Sequence, residues 1–408
     1  MSRRTDPSQW SYRPLIWLAV ATFSTGIDGY VLAGLLPAIA DDLNVEPALA
    51  GQLVSVFALT SALAGPVLGT VTSRWERRGT IGSSLAVFVL GNLVVALAPN
   101  YPIAVGGRVV AALGGCLLNA AVTGYVIALT PIRHRGKALS FVLGGWMTAT
   151  ALGVPVGLAL GQSSWRFPLI LVSVVGTVAL VGILLRLPHL HLPAGSLADR
   201  LRPLRQPRLL AGLLVTTGIL CSSYTCFTYA TIILSPAYPG GWVIIAIMFG
   251  YGVASMLGNA VTGRLVDRFS APRVLTVVLS GLLLNALLGV FTFAVGAVAV
   301  AGLVWFFAAG IGNGGAAVPQ QARLAALAPD SAAIVMALNG SAISLGLALG
   351  GGLGGVTLAA GSPSYGLLGV AAVVLAITLA LHVVVQRQGA GISPGAGTGS
   401  RSERRRSP

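Results

Sequence analysis

Long uninterrupted apolar stretches dominate this sequence and constrain its fold more than any other feature. A helix needs about 20 apolar residues to cross a bilayer, and twelve stretches of that kind are bounded by charged residues, prolines and glycines. They cover residues 14–38, 50–72, 79–98, 101–128, 138–162, 167–187, 209–235, 241–262, 273–293, 297–320, 333–358 and 364–386. Transmembrane β-barrels instead use short alternating segments. The pattern therefore predicts an all-α membrane protein with twelve transmembrane helices, and a first stretch too long to be a cleaved signal peptide.

Charged residues are too scarce for a water-facing surface. The 408 residues include 25 Lys or Arg and 10 Asp or Glu, which is 9% of the chain, whereas soluble domains carry roughly a quarter. This composition excludes a soluble enzyme, a disordered protein and a secreted disulfide scaffold. The three cysteines, Cys116, Cys221 and Cys226, lie in apolar stretches without metal-ligand spacing, so neither a disulfide framework nor a metal site is predicted.

The basic residues fall on alternate connections between the predicted spans. Most of them lie before the first span, after the even-numbered spans and in the C-terminal tail, as with Arg13, Arg74, Arg133, Arg264 and Arg387, and the odd-numbered connections are almost free of Lys and Arg. The first connection on the other side is acidic, with Asp41, Asp42 and Glu46. The positive-inside rule then predicts a plasma-membrane protein with both termini in the cytoplasm. The net charge of +15 is explained by this topology and by contact with anionic lipid headgroups, so no nucleic-acid partner is expected.

A polar connection at residues 188–208 divides the chain into two halves of six spans. We expect a first bundle over 1–187, a cytoplasmic central loop over 188–208, a second bundle over 209–388 and a disordered cytoplasmic tail over 389–408. The segment from Gly69 to Arg74 recurs as Gly263 to Arg268, with an offset of 194 for both the Gly and the Arg. Repeats of this kind are typical of transporters with a substrate site between two related bundles near the bilayer midplane.

Several motifs stand in the order and spacing of a known family. They are Asp28 to Pro37 in the first span, the loop from Gly69 to Arg78, Gly107-Arg108 in the fourth span, Gly153 to Gly157 in the fifth, Phe249 to Arg268 in the second half, and Gln321 to Asn339 near the eleventh span. The chain resembles the major facilitator superfamily, and within it the twelve-span drug:proton antiporters close to chloramphenicol and sugar-efflux exporters. The resemblance implies two six-helix bundles, alternating access and a role for Arg108 in proton coupling.

One position departs from the family pattern. The first loop of the family usually carries an aspartate where this chain has Ser73, whereas Asp267 is present at the matching position of the second half. That acid normally latches the loop against neighbouring helix ends. The resemblance therefore leaves open how the loop of the first half is latched.

Asp28 is the only acidic residue within any predicted span. A carboxylate inside the bilayer costs several kcal/mol unless it is paired, hydrated or protonated, and burial and a nearby cation act on it in opposite directions. Arg108 lies at a comparable depth, so we expect the two to pair and to exchange a proton during transport. The alternatives are a solvated Asp28 near the membrane surface and a structural Arg108 bonded to helix backbones.

Other residues are candidates for the substrate cavity and for gating. The cavity candidates are polar or aromatic residues in mid-span, namely Tyr30, Asn119, Tyr125, Tyr224, Tyr229, Asn313, Gln320 and Asn339. For each of them a helix–helix hydrogen bond is the alternative. The candidates for gating and helix packing are Gly69, Arg74, Arg77, Arg78, Gly153, Pro155, Gly157, Gly263, Asp267 and Arg268. We expect Gly153, Pro155 and Gly157 to form a tight hinge where the two halves meet, and His382 to be a packing residue.

The expected function is proton-coupled export of amphipathic small molecules or drugs by a single chain acting as a monomer. The sequence shows no catalytic constellation and no phosphate-binding loop, so neither an enzyme nor a cofactor is predicted, and an ion gradient is the expected energy source. Two alternatives remain open. One is an efflux permease for sugars or related metabolites, and the other is a receptor or scaffold that does not transport.

Overall fold

The computed structural model describes residues 14–191, 202–238, 241–296 and 298–390. These residues form twelve long helices, α1 to α12. Their bounds are Leu15–Val31, Pro47–Val71, Arg77–Ala96, Tyr101–Leu129, the two parts Arg135–Thr148 and Val154–Gly161 of α5, Arg166–Arg186, Pro207–Phe227, Gly241–Arg268, Ala271–Ala294, Val298–Leu327, Ala332–Ala359 and Ser364–Ala390. The predicted all-α class and the order of twelve spans are confirmed.

The helices have the length and polarity of membrane spans. Ten of them, all except α5 and α10, are long and apolar enough to cross a bilayer singly, and the two bent parts of α5 together make an eleventh candidate. The helix α10 is 30 residues long and occupies the place of the remaining predicted span. The basic N-terminal segment, residues 192–201 of the central loop and the tail from residue 391 lie outside the described residues, so the predicted domain boundaries stay predictions.

The twelve helices form two bundles of six. In the first bundle α3 packs on α4 and α6, and α1 packs on α5 and α6. In the second bundle the equivalent helices repeat the arrangement, with α9 on α10 and α12, and α7 on α11 and α12. The bundles meet where α2 lies along α11 and α5 lies against α8. We call the end of the molecule that holds residues 14 and 390 the terminal face and the opposite end the distal face.

A row of glycines on α5 allows the helix to lie directly on α1. A methyl group at Gly145 would overlap the carbonyl oxygen of Ala19, and one at Gly157 would lie 2.6 Å from the Val31 side chain. The hydroxyl of Thr22 donates to the Val142 carbonyl at 2.6 Å across the same contact. Small residues at four-residue spacing permit this close approach. Gly153 and Gly157 themselves face Ile27 and Val31 of the same half, while their segment of α5 lies against α8 of the other half. The predicted hinge at the contact between the halves therefore stays a prediction.

The bend in α5 has two local causes. A π-helical turn occupies Ala149–Gly153, and Pro155 follows immediately. A π-turn interrupts the regular ladder, and proline lacks a donor for it. The two parts of α5 are therefore bent by 44°, beside the segment of α1 that carries Asp28.

Tyr229 closes the molecule at the distal face. Its ring is fully buried in a slot between Gly51 of α2 and Gly354 of α11. A methyl group on Gly51 would overlap the Tyr229 hydroxyl, and one on Gly354 would lie 2.5 Å from the ring. Its hydroxyl donates to the Gly351 carbonyl at 2.8 Å. Nearby, the hydroxyl of Thr231 donates to the Ala33 carbonyl at 3.4 Å, which joins the two halves directly. Tyr229 therefore lies in the contact between the halves rather than in an open cavity.

We expect Tyr229→Phe to weaken the distal closure. The Tyr229 hydroxyl bonds within the second half and holds the ring against Gly51 of the first half. Loss of one buried hydrogen bond costs about 0.5–1.5 kcal/mol, so loosening of this contact should increase by at most roughly 12-fold. Hydrogen exchange of peptides that contain Gly51 and Gly351 measures the change. The matched control is Tyr238→Phe, because the Tyr238 hydroxyl is buried without a hydrogen-bond partner among the described residues. Equal exchange in the two variants would contradict a closing role for the Tyr229 hydroxyl.

Candidate functional site

Asp28 and Arg108 form a buried ion pair near the distal face. Arg108 Nη1 lies 2.7 Å from Asp28 Oδ1, and each residue is 1% exposed. Asp28 stands in the last turn of α1, and Arg108 stands in the second turn of α4. Because Asp28 lies toward the distal end of α1 and Arg108 toward the distal end of α4, the two side chains reach the same depth from neighbouring helices. The burial of Asp28 excludes the alternative in which its carboxylate is solvated in this conformation.

Arg108 is also held by α2. Its Nε donates to the Leu53 carbonyl at 3.1 Å, and its guanidinium lies 4.3 Å from the centre of the Phe57 ring. A planar guanidinium can bind a carboxylate, a carbonyl and a ring face at once. Arg108 therefore makes both the ion pair with Asp28 and the hydrogen bond to a helix backbone that was the alternative. The contacts with α2 fix the orientation of the arginine.

The second carboxylate oxygen of Asp28 is left free. Oδ2 is buried and has no hydrogen-bond donor among the described residues. Burial favours the neutral carboxylic acid, and Arg108 favours the carboxylate. A proton can bind at Oδ2 without displacing Arg108 from Oδ1 in advance. The pair therefore has the two features that a proton-binding site requires, a charge that is costly to bury and an oxygen that is available.

An aromatic cluster begins two residues from Asp28 on the same helix. It consists of Tyr30, Trp146, Tyr224, Phe227, Tyr251 and Phe306. The Tyr30 ring lies 6.3 Å from Trp146 and 5.8 Å from Phe227. The Phe227 ring lies 5.0 Å from Tyr251, and Tyr251 lies 4.9 Å from Phe306. Tyr30 belongs to the first bundle and Phe227 to the second, so the cluster spans the boundary between the halves.

A small cavity lies on the second-bundle side of this aromatic cluster. Its volume is ≈ 40 Å³, and its lining includes Phe227, Tyr251, Phe306 and the amides Asn285 and Asn313. Asn313 Nδ2 donates to the Tyr251 hydroxyl at 3.1 Å. Aromatic walls with a few oriented polar groups are typical of sites for small amphipathic ligands, but such sites enclose about 300–1,000 Å³, so a ligand would fit here only after the bundles open.

Three of the predicted cavity residues meet at the aromatic cluster. Tyr30 and Tyr224 are members of it, and Asn313 binds Tyr251. Gln320 and Asn339 instead share Thr216 of α7, since Gln320 Nε2 donates to Thr216 Oγ1 at 2.8 Å and this hydroxyl donates to Asn339 Oδ1 at 2.8 Å. For Gln320 and Asn339 the structure shows the alternative, a hydrogen bond between helices.

The remaining two cavity candidates lie apart from the cluster. Tyr125 is fully buried near the terminal end of α4, and its hydroxyl donates to the Pro188 carbonyl at 2.7 Å. Asn119 is exposed on α4, and its backbone carbonyl accepts a hydrogen bond from the Thr123 hydroxyl. Tyr125 thus ties α4 to the start of the central loop.

Glu76 latches the loop between α2 and α3. Its carboxylate accepts hydrogen bonds from the N–H groups of Arg78 at 2.8 Å and Gly79 at 2.7 Å, which caps α3. It also accepts one from the Leu190 N–H at 3.1 Å, and the Arg77 N–H donates to the Leu190 carbonyl at 2.8 Å. Glu76 therefore binds the loop to the central connection, three residues after the position where Ser73 replaces the usual acid.

The other predicted gating residues are dispersed over the terminal face. Arg78 Nη1 donates to the Leu187 carbonyl at 3.1 Å, and Arg77 Nη2 donates to the Ser73 carbonyl at 3.1 Å. Gly69 is buried, whereas Arg74, Asp267 and Arg268 are exposed. A methyl group at Gly263 would have no atom within 4 Å. A gating role for these residues stays a prediction.

We expect acid to release the Glu76 latch. Partial burial raises the pKa of the carboxyl, but the N–H groups of Leu190, Gly79 and Arg78 lower it by more, so the pKa lies below its ordinary value. The latch then stabilises the loop above the ordinary pKa of glutamate and is lost as pH falls through the lowered value. Hydrogen exchange at Leu190 and Gly79 should rise on acidification, and Glu76→Gln should raise it already at neutral pH. The control is Glu46→Gln, because Glu46 precedes α2 without a side-chain capping bond; the same increase in both variants would contradict the latch.

Sequence reasoning did not find several members of the site. Phe57, Trp146, Phe227, Tyr251 and Phe306 come from five different helices, and their meeting depends on the packing of the bundles. One local signal was available, since Tyr224 and Phe227 are three residues apart and so share a face of α7.

Comparisons with known proteins agree with this fold. The model of the Major Facilitator Superfamily matches residues 18–284. A chloramphenicol resistance protein of Streptomyces lividans is 34% identical over 263 residues, which cover 62% of this chain and 67% of that protein. A chloramphenicol efflux pump of Mycobacterium tuberculosis is 31% identical over 276 residues, 65% of this chain and 66% of that protein. The crystal structure of the POT family transporter PepTSo superposes with a TM-score of 0.77 at 11% identity, covering 94% of this chain and 99% of that one.

Proposed function

Because this chain belongs to the Major Facilitator Superfamily, we propose that it is a proton-coupled exporter of amphipathic small molecules of the chloramphenicol type. It is a multi-pass membrane transporter and not an enzyme. The observation that carries the proposal is the buried Asp28–Arg108 pair with its free carboxylate oxygen. A fixed carboxylate of this kind would be an unnecessary cost in a membrane scaffold.

The proposed cycle uses the charge of Asp28. A proton that binds Oδ2 converts the carboxylate to a carboxylic acid and removes the counter-ion of Arg108. Arg108 then remains as a buried cation, and this state favours the conformation in which the cation is hydrated or paired elsewhere. When the proton leaves, the ion pair reforms. Binding of a proton and binding of substrate each favour a different conformation, so the two move in opposite directions.

The location of the pair indicates which face supplies the proton. Asp28 lies near the distal face, which Tyr229 closes in this structure. If the distal face opened, water would reach Asp28 before the water reached the terminal half of the bundle. The arginines at the terminal face support a cytoplasmic location for both termini in the plasma membrane. The distal face would then be external, and the proton would enter from outside. Since one chain contains the pair and the cluster, we propose that a monomer transports.

The aromatic cluster supports the substrate class. Six aromatic rings and two amides provide stacking surfaces with few hydrogen-bonding groups. A sugar would require more polar partners, because each desolvated hydroxyl without a hydrogen bond costs free energy. The chloramphenicol resistance protein and the chloramphenicol efflux pump that this chain is similar to also favour amphipathic drugs as the substrate class.

Transport in everted membrane vesicles tests the proposal. Vesicles with the protein should accumulate labelled chloramphenicol when respiration acidifies their interior, and a protonophore should abolish the accumulation. Vesicles without the protein set the background. Uptake of sugars but not of chloramphenicol would support the metabolite permease instead. No uptake of either, with the protein present and folded, would support a receptor or scaffold and contradict the proposal.

A further inference from the structure

A second buried cationic group lies in the other half of the molecule. Arg323 of α10 is 6% exposed and His382 of α12 is fully buried. Arg323 Nη1 lies 2.7 Å from His382 Nδ1. Both residues stand near the terminal face, since α10 ends at Leu327 and α12 ends at Ala390. The pair is therefore at the opposite end of the molecule from Asp28, and the proposed cycle does not use it.

The groups around His382 come from three helices. On the Nε2 side are Thr276 Oγ1 at 3.0 Å and the Pro272 carbonyl at 3.3 Å, both from α9. The amide nitrogen of Gln386 of α12 also lies there, 2.6 Å from the ring nitrogen. Arg323 is the charged group that faces the ring, and it comes from α10. Among the side chains that the structure describes, no carboxylate oxygen lies within 4.0 Å of Arg323. Among the described side chains, the positive charge of Arg323 is thus balanced by dipoles and not by a carboxylate.

The hydrogen bond to Arg323 fixes the protonation state of His382. A guanidinium can only donate, so Nδ1 must offer a lone pair and the single ring proton must lie on Nε2. Thr276 Oγ1 and the Pro272 carbonyl are the acceptors for this proton. Gln386 then has to turn its amide so that the oxygen rather than the nitrogen faces the ring. A second proton would have to occupy Nδ1, where it would face an Arg323 N–H group and place two cations in contact. His382 can therefore take up a proton only if Arg323 moves away.

We propose that His382 and Arg323 form a second proton-binding site, in which movement of Arg323 and protonation of His382 are coupled. The ligand is a proton, which binds at Nδ1 in the place of the Arg323 N–H group. Since Arg323 belongs to α10 and His382 to α12, separation of these helices near the terminal face promotes protonation, and protonation keeps them apart. Only the effect of this site on transport rests on the proposed function.

The protonation itself is tested without transport. The full chain, labelled on its histidines, is titrated by NMR in detergent micelles, and His382→Asn identifies the His382 signal among the four histidines of the chain. We expect Arg323→Gln to make His382 take up its proton at a higher pH than in the unsubstituted protein. An unchanged titration would overturn the proposal. Arg273→Gln is the control, because this variant also removes one positive charge near the start of α9 and should leave the His382 titration unaltered.

The consequence for transport is tested with a matched pair of substitutions. In His382→Asn the amide oxygen can accept the Arg323 bond in place of Nδ1, but it cannot be protonated. We expect this variant to transport at neutral pH and to lose the part of the pH dependence that appears in acid, below the range in which a free histidine titrates, since Arg323 opposes protonation. His382→Leu removes the acceptor as well and should reduce transport at every pH. Identical pH profiles of the unsubstituted protein and His382→Asn would assign the pair a structural role alone. If the unsubstituted protein transports nothing, the proposed function fails while the NMR titration still decides this site.

Discussion

Asp28→Asn is expected to abolish proton-driven efflux while the protein remains folded. Asparagine keeps an oxygen that can accept the Arg108 bond now made by Oδ1 at 2.7 Å, but it carries no charge and binds no proton. Its charge is that of protonated Asp28, a state which the cycle must already pass through. Loss of one partner of a buried ion pair costs about 3–5 kcal/mol, and the retained hydrogen bond offsets part of this. Transport in energised vesicles should fall to the level of vesicles without the protein.

Asp42→Asn is the matched control for this prediction. Asp42 also pairs with an arginine, with Oδ2 2.6 Å from Arg166 Nη1, but its side chain is 41% exposed. Exposed ion pairs contribute about 0–1 kcal/mol, so this variant should transport nearly as well as the unsubstituted protein. Full proton-driven transport by Asp28→Asn would contradict the assigned role. An equal loss in both variants would attribute the effect to stability, and a comparison of their thermal unfolding would show it.

Gly145→Ala is expected to have the second large effect. The added methyl group would overlap the Ala19 carbonyl and the Thr22 hydroxyl, so α1 and α5 would have to separate and the bond from Thr22 to Val142 would lengthen. Overpacking of this kind costs about 1–3 kcal/mol. We expect a lower temperature of thermal unfolding in detergent and slower transport, because α1 carries Asp28.

The neighbouring glycine provides the control. A methyl group at Gly144 has no atom within 4 Å, so Gly144→Ala should unfold at or slightly above the temperature of the unsubstituted protein, as expected when alanine replaces glycine in a helix. Equal unfolding temperatures for the two variants would contradict the close packing of α5 on α1.

The sequence predicted the spans and the ion pair because both follow from the cost of charge in a membrane. Apolar length placed α1 to α12 in the right order, with ends that differ from the observed bounds by up to eight residues, and the rise of a helix placed Asp28 and Arg108 at one depth. The same reasoning could not tell which face of a helix a residue occupies. Gly153 and Gly157 were placed at the contact between the halves; their segment of α5 does lie against α8, but the glycines themselves face α1.

Polar residues in mid-span were harder to interpret, because a hydrogen bond and a binding role use the same atoms. Gln320 and Asn339 bind Thr216, and Tyr125 binds Pro188, over sequence distances that no local pattern encodes. Glu76 was not predicted as a latch, because the residue that it binds, Leu190, lies 114 positions away. His382 was expected to be a packing residue, and its contact with Arg323 became visible only when α10 and α12 were brought together.

Proton release from the purified protein tests the central claim most directly. In a weakly buffered detergent solution, near the pH at which Asp28 is half protonated, addition of chloramphenicol should release protons, since substrate and proton favour different conformations. The release should be absent in Asp28→Asn and present in Asp42→Asn. This result would identify Asp28 as the group at which proton and substrate are exchanged. Release of the same size from Asp28→Asn, or none from a protein that binds chloramphenicol, would contradict the account.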